Sequence, residues 1–187
     1  MSVVRRGLVG LSMFVALGAV SASAAQARVI DLSTCNVAPL SQPFARWLDP
    51  AWYELAPGGD FETPAWSLET GAQRVPGSEP FAATGTLGSW SLALPAGAAA
   101  QSPPTCVDAA YPTIRFFTSG VGAVAVTVVY GGVTLPAGVA VATGGWSPSL
   151  VALTDSELGS GSMSVRLTAL AGDVRVDDVF VDPWNRG

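Results

Sequence analysis

Short runs of alternating apolar and polar residues, separated by glycine, proline and serine, set the character of the chain from Tyr53 onward. The alternation is clearest in Trp90-Ser91-Leu92-Ala93-Leu94, in Val124 to Tyr130 and in Met163-Ser164-Val165-Arg166-Leu167. A period of two marks half-buried strands. It places Trp90 on a core face with Leu92 and Leu94, and Trp66 with Leu68. Further strands are expected at Trp66 to Val75, Gln101 to Val107, Thr113 to Thr118, Val139 to Thr143 and Leu150 to Leu153. Gly131-Gly132 between two apolar runs predicts a tight hairpin. The last strand, Val174 to Pro183, is rich in β-branched residues, and Pro183 ends its ladder. Turn signals recur about every 8 to 12 residues and no stretch sustains a helical period, which predicts one all-β domain, an antiparallel β-sandwich over residues 53–187. Its first and last strands are expected to meet.

Ahead of the sandwich, residues 28–52 read as an irregular leading segment punctuated by Pro39, Pro43 and Pro50, with Phe44, Trp47 and Trp52 as anchors. Pro43 suits the first position of a helical turn within Ser41 to Trp47. Residues 1–27 have the form of an export signal: Arg5 and Arg6, an apolar run from Gly7 to Val20, then small residues with cleavage expected after Ala24 or Ala27. The apolar run is shorter than the roughly 20 residues of a spanning helix. The chain is therefore expected to be secreted, extracellular or in the cell envelope. The residues flanking Arg5-Arg6 favour the Sec route over the twin-arginine one.

Loss of Arg5 and Arg6 would leave 7 of the 9 basic residues against 14 acidic ones, a net charge of −7. Such a surface repels phosphate backbones, so nucleic acid is not an expected partner. The sequence has no His and no Lys. That excludes Ser-His-Asp and Cys-His catalysis, histidine zinc sites, Schiff-base lysines and phosphate-loop lysines. The two cysteines, Cys35 and Cys106, are expected to pair in an oxidising compartment. Closing a loop of about 70 residues would stabilise the fold by roughly 4 kcal/mol in the chain-entropy model.

The last strand carries Asp177 and Asp178 inside an apolar run, a costly placement unless they are paired, metal-bound or exposed. Strict alternation puts Asp177 on the face of Val179 and Val181, and Asp178 on the face of Phe180, unless a bulge shifts the parity. The alternatives to a metal are solvated edge carboxylates or a buried one paired with Arg175 or Arg166.

Gly59-Asp60-Phe61-Glu62, followed by Trp66-Ser67-Leu68, resembles the opening of galactose-binding-like jelly-roll domains, a fold shared by many carbohydrate-binding modules. Val176-Asp177-Asp178-Val179 resembles their closing strand. The chain is also similar to small secreted actinobacterial proteins of unassigned function, in Pro43-Phe44-Ala45-Arg46-Trp47, in Ser102 to Val107 and in Asp177 to Pro183. The jelly-roll resemblance implies a structural Ca2+ where first and last strands meet, with Glu62 and Asp177 as ligands and Asp60 as a third. Hard oxygen donors suit that ion.

Three functions follow from these readings. The first is a secreted, non-catalytic module for a glycan or cell-wall polymer, with Trp52, Tyr53, Trp146 and Trp184 as ligand-contacting rings in loops and at strand ends. The second is a structural or protein-interaction component of the cell envelope. The third is a glycosidase or lyase working with carboxylates alone, for which neighbours such as Asp177 and Asp178 make a poor acid/base pair.

Overall fold

The computed structural model describes residues 39–107, 111–154 and 158–183. The predicted signal, Cys35 and Trp184 lie outside these residues. Eleven strands are described: β1 (Leu40–Ser41), β2 (Tyr53–Leu55), β3 (Ser67–Glu69), β4 (Gln73–Pro76), β5 (Trp90–Pro95), β6 (Ala99–Gln101), β7 (Thr105–Val107), β8 (Thr113–Tyr130), β9 (Val133–Pro148), β10 (Ala152–Leu153) and β11 (Gly161–Asp182). Every pairing among them is antiparallel.

β11 is the axis of the fold. Its first half lies between β6 and β7 on one side and the end of β8 on the other. Its second half lies between β5 and β2 on one side and the start of β8 on the other. β9 follows β8 along most of its length. The inner faces of both halves share one core, built from Leu92, Leu94, Val174 and Val176 together with Val126, Val128, Val165 and Leu167. The first strand of the predicted 53–187 sandwich, β2, does meet the last: Leu55 pairs with Phe180 and Glu54 with Val181. The chain is an all-β antiparallel sandwich, as the alternation predicted.

The strand pattern departs from expectation at the glycines. Thr113 to Thr118 and Val124 to Tyr130 belong to one strand, β8, and the strands predicted at Met163 to Leu167 and Val174 to Pro183 are parts of β11. Gly120, Gly122 and Gly172 have the look of turn residues. They instead let β8 and β11 bend together, with a register shift between Ala169 and Ala171. A β-carbon on Gly172, at φ +70°, would sit 2.0 Å from the Val121 carbonyl oxygen, and one on Gly120, at φ +94°, 2.3 Å from that of Asp173. Only glycine permits that approach with a left-handed backbone. At Gly131-Gly132 the predicted hairpin is present, pairing Tyr130 with Val133. The run Trp66 to Val75 is interrupted at Thr70-Gly71, and Gln101 to Val107 at Pro103-Pro104. Trp66 is buried against Phe61, but Leu68 is exposed, so the shared core face expected there does not form.

The leading segment is more integral than its irregular sequence implies. It adds β1 to the sheet, and the expected helical turn is a short 3-10 turn at Ala45–Trp47. Phe44 is fully buried in a second apolar cluster with Tyr53, Phe117 and Phe180, and its ring lies 5.3 Å from that of Phe117. Asp49 fastens the segment. Its carboxylate accepts from the Tyr53 hydroxyl (2.8 Å) and the Ala51 N–H (3.1 Å), and pairs with Arg115. Burial works to raise the Asp49 pKa, but these three donors outweigh it and hold it below the usual carboxylate range.

Cys106 lies in β7, opposite Ser162 of β11. Its pairing with Cys35 remains our proposal. Peptide mapping of the protein without reductant should recover the two cysteines in one linked species; two thiols open to alkylation in the native protein would refute it.

Candidate functional site

The outward positions of β11 carry the chemistry. Val174 and Val176 face the core, so Asp173, Arg175 and Asp177 project from the opposite face. The register then shifts between Asp177 and Phe180. Asp178 is the inserted residue of this bulge, with φ +49°. Strict alternation therefore does not hold here. The bulge returns Val179 and Val181 to the core while Asp177 shares a face with Phe180.

Three acids are buried together at the bulge: Asp177 (0 % exposed), Glu79 (2 %) and Asp178 (4 %). Asp177 accepts from the Ser78 hydroxyl (2.6 Å) and from the N–H groups of Glu79 (2.9 Å) and Asp178 (3.0 Å). Glu79 accepts from the N–H groups of Phe81 and Ala83. The loop after β4 thus wraps around two carboxylates. Burial raises the Asp177 pKa to about 6, against the pull of its three donors. Burial, reinforced by Asp177 and then Glu79, pushes Asp178 up to about 9. Asp178 is accordingly a neutral acid at pH 7, and it is hydrogen-bonded to Glu79.

The set predicted for calcium, Asp60, Glu62 and Asp177, does not converge. Glu62 is exposed, and its Oε1 accepts from the N–H groups of Ser89 (2.7 Å) and Trp90 (3.0 Å). Asp60 accepts from the N–H of Glu62 (3.2 Å). Glu62 comes close to the acid cluster only through Gly88, where a β-carbon would touch both Ser78 Oγ (2.7 Å) and Glu62 Oε1 (2.8 Å). Among the described residues no three carboxylates are arranged to hold a metal ion. The donor set as placed does not fit calcium: its carboxylates do not converge, and both Asp177 oxygens, Glu62 Oε1 and Asp60 Oδ1 already accept from N–H or hydroxyl groups. Glu79, which actually meets Asp177, sits in a polar loop (Ser78-Glu79-Pro80) with no local signal to flag it.

Beside the cluster the face opens into a groove of about 380 Å3, lined by Gln73, Ala93, Pro95, Gly120, Asp173 and Arg175. Arg175 is held in place. Its Nη2 donates to the carbonyls of Pro76 and Gly77 (2.7 Å each) and to Ser91 Oγ (2.6 Å), and Nε also reaches Ser91 Oγ (3.2 Å). The Arg175 guanidinium carbon lies 5.6 Å from the centre of the half-buried Trp146 ring. Of the three proposed rings that lie among the described residues, Trp146 is the one that approaches this groove, through Arg175, though it does not itself line it. Tyr53 is buried and spends its hydroxyl on Asp49, a correction to its assignment as a surface ring. Trp52 is 55 % exposed but does not line the groove. Arg175, Asp173 and Gln73 were missed, although the alternation of β11 places the first two opposite Val174 and Val176.

No protein-family model and no curated protein matches the chain. Solved structures of similar shape include the module of a Cellvibrio mixtus lichenase in complex with cellotriose, at 18 % identity and TM-score 0.47, over 68 % of this chain and 93 % of that one. A family 6 carbohydrate-binding module of a Zobellia galactanivorans laminarinase matches at 15 % identity and TM-score 0.45, over 60 % and 88 %. A xylan-binding domain from Paenibacillus barcinonensis matches at 17 % identity and TM-score 0.44, over 67 % and 89 %.

Proposed function

We propose that this chain is a secreted, non-catalytic binding module whose ligand, a glycan or cell-wall polymer, lies in the groove beside Trp146. The observation that carries this reading is the groove itself: a fixed guanidinium, Asp173 and Gln73 in its lining, with the Trp146 ring 5.6 Å from that guanidinium. Sugars need both halves of that arrangement, since their C–H faces stack on aromatic rings and their hydroxyls require directed polar partners. The sequence resemblance at Gly59 to Glu62 and Val176 to Val179 points the same way.

Calorimetry against soluble polysaccharides tests it. Trp146→Ala should weaken binding by about 2 kcal/mol, roughly thirtyfold, if the ring is a central contact. The melting curve must stay close to that of the parent, since Trp146 also touches the Phe44 cluster. Equal affinity in parent and variant would remove the ligand from this groove.

One observation favours a protein-interaction role in the cell envelope instead. Residues 116–154 contain no charged side chain, and Val121, Val139 and Val141 stand exposed on β8 and β9. Under that reading the groove variants leave partner binding intact. A carboxylate-only glycosidase or lyase needs two acids facing one cleft. Asp177 and Asp178 are instead buried at the bulge, behind the loop after β4.

A further inference from the structure

We infer that the groove selects a sugar ring bearing a carboxylate, a uronic acid set among neutral rings. The inference rests on the glycan reading above and narrows it.

Its basis is the way the arginines are used. Arg115 pairs with Asp49, and Arg166 pairs with Glu69 through both of its terminal nitrogens. Arg46 lies over Trp47 and Phe81, and Arg74 over Trp90. Arg175 has no carboxylate partner among the described residues, in a chain with 14 acidic residues. Two carbonyls and one hydroxyl fix its position, and all three are neutral. They take up Nη2 and Nε, whereas Nη1 has no hydrogen-bond partner among the described residues and is not a buried orphan. Arg175 lines the open groove, and its guanidinium is held in one position with the Nη1 donors unused. Its ordering cost is met by the protein before any ligand arrives.

A carboxylate is the acceptor that gains most from such a donor, because a hydrogen bond between charged groups is shorter and roughly twice as strong as a neutral one. It would engage Nη1 alone, since the fork edge is already in use. The Arg175 guanidinium lies over the half-buried Trp146 ring, 5.6 Å from its centre, so an aromatic surface for the apolar side of a sugar stands next to the charge. Asp173 limits how much negative charge the groove accepts. It is exposed, lines the same groove and precedes Arg175 by two positions on one face, about 6.6 Å along the strand. A second carboxylate on the neighbouring sugar would meet it. The groove therefore suits one acid among neutral rings and disfavours a polyuronate.

The test is calorimetry of the full secreted chain against matched oligosaccharide pairs on xylan, galactan and mannan backbones. One member of each pair carries a single uronic acid and the other has that carboxyl reduced to the alcohol; tri-galacturonate is the polyanion. The expected result is that on at least one backbone the acid binds about tenfold or more tighter than its reduced twin, and that salt narrows the gap. Arg175→Gln should bring the two members to the same affinity. Asp173→Asn should raise the affinity for tri-galacturonate. If Arg175→Gln fails to fold, the matched pairs with the parent protein still decide. Equal affinity for acid and alcohol, at either salt, overturns the carboxylate inference and leaves the glycan reading standing. No binding to any member overturns both.

Discussion

Gly172→Val should leave almost no folded protein. The residue sits at φ +70°, where a β-branched side chain carries a penalty of about 1–2 kcal/mol or more from backbone sterics alone. Direct contact costs more. A β-carbon there would lie 2.0 Å from the Val121 carbonyl oxygen and 2.9 Å from the Gly122 α-carbon, both backbone atoms with no rotamer in which to retreat. Relief would require β8 and β11 to separate at their bend, and their pairing joins the two halves of the sandwich. We expect a loss above about 4 kcal/mol, comparable to the whole stability of many small domains. Gly172→Ala should be nearly as damaging, because the β-carbon is itself the offender. Gly97 is the control: it has φ +82°, and an added β-carbon would meet nothing within 4 Å, so Gly97→Ala should cost only about 1–2 kcal/mol. Urea unfolding followed by tryptophan fluorescence would compare the three. A Gly172→Ala variant as stable as Gly97→Ala would show that the bend is not close-packed.

That bend also shows what the sequence could and could not convey. Alternation in Trp90 to Leu94 and Val124 to Tyr130 reports a local property, the burial of one strand face, and it was legible. A glycine reports only that its backbone is unusual. Whether the unusual step ends a strand, as at Gly131-Gly132, or bends it beside another, as at Gly120 and Gly172, depends on a partner some 50 residues away. The site divides in the same way. Asp177 stood out because its neighbours are valines, but its companion Glu79 lies in a loop about a hundred residues earlier that looks solvated. The bulge at Asp178 breaks the parity on which its facing was assigned. Tyr53 was placed at the surface because it opens a strand. The residue that buries it, Phe44, comes from a proline-rich segment with no periodicity to read. Arg175 was legible in principle, since parity with Val174 and Val176 turns it outward, yet its freedom from an acid partner exists only in the folded chain.

The acid cluster gives the second large effect, a stability that falls as pH rises. Asp177 and Asp178 have folded pKa values of about 6 and about 9, raised first by burial, whereas an unfolded aspartate titrates near 3.8. Between those limits the native state binds more protons than the unfolded one. Their contribution is therefore fully present below about pH 4 and is lost as pH climbs through about 6 and then about 9. Asp49 works in the opposite sense: its folded pKa is depressed, so its contribution is present above about pH 4 and lost on further acidification. The two together put the highest melting temperature in mild acid, with a decline toward pH 9. Asp178→Asn isolates the cause. The amide can donate to Glu79 without needing a proton, and asparagine tolerates the left-handed backbone at φ +49° better than most residues. This variant should gain on the parent as pH rises from 5 to 9, by on the order of 1 kcal/mol per pH unit, and so flatten the slope between. A parent whose melting temperature is level from pH 5 to 9 would mean that these carboxylates are not desolvated as the fold places them. The same melts test calcium. Because the acids do not converge to hold that ion, added Ca2+ or EGTA should leave the parent's melting curve at pH 8 unchanged. A rise that EGTA reverses and Asp177→Asn abolishes would show that the loop after β4 rearranges to bind it.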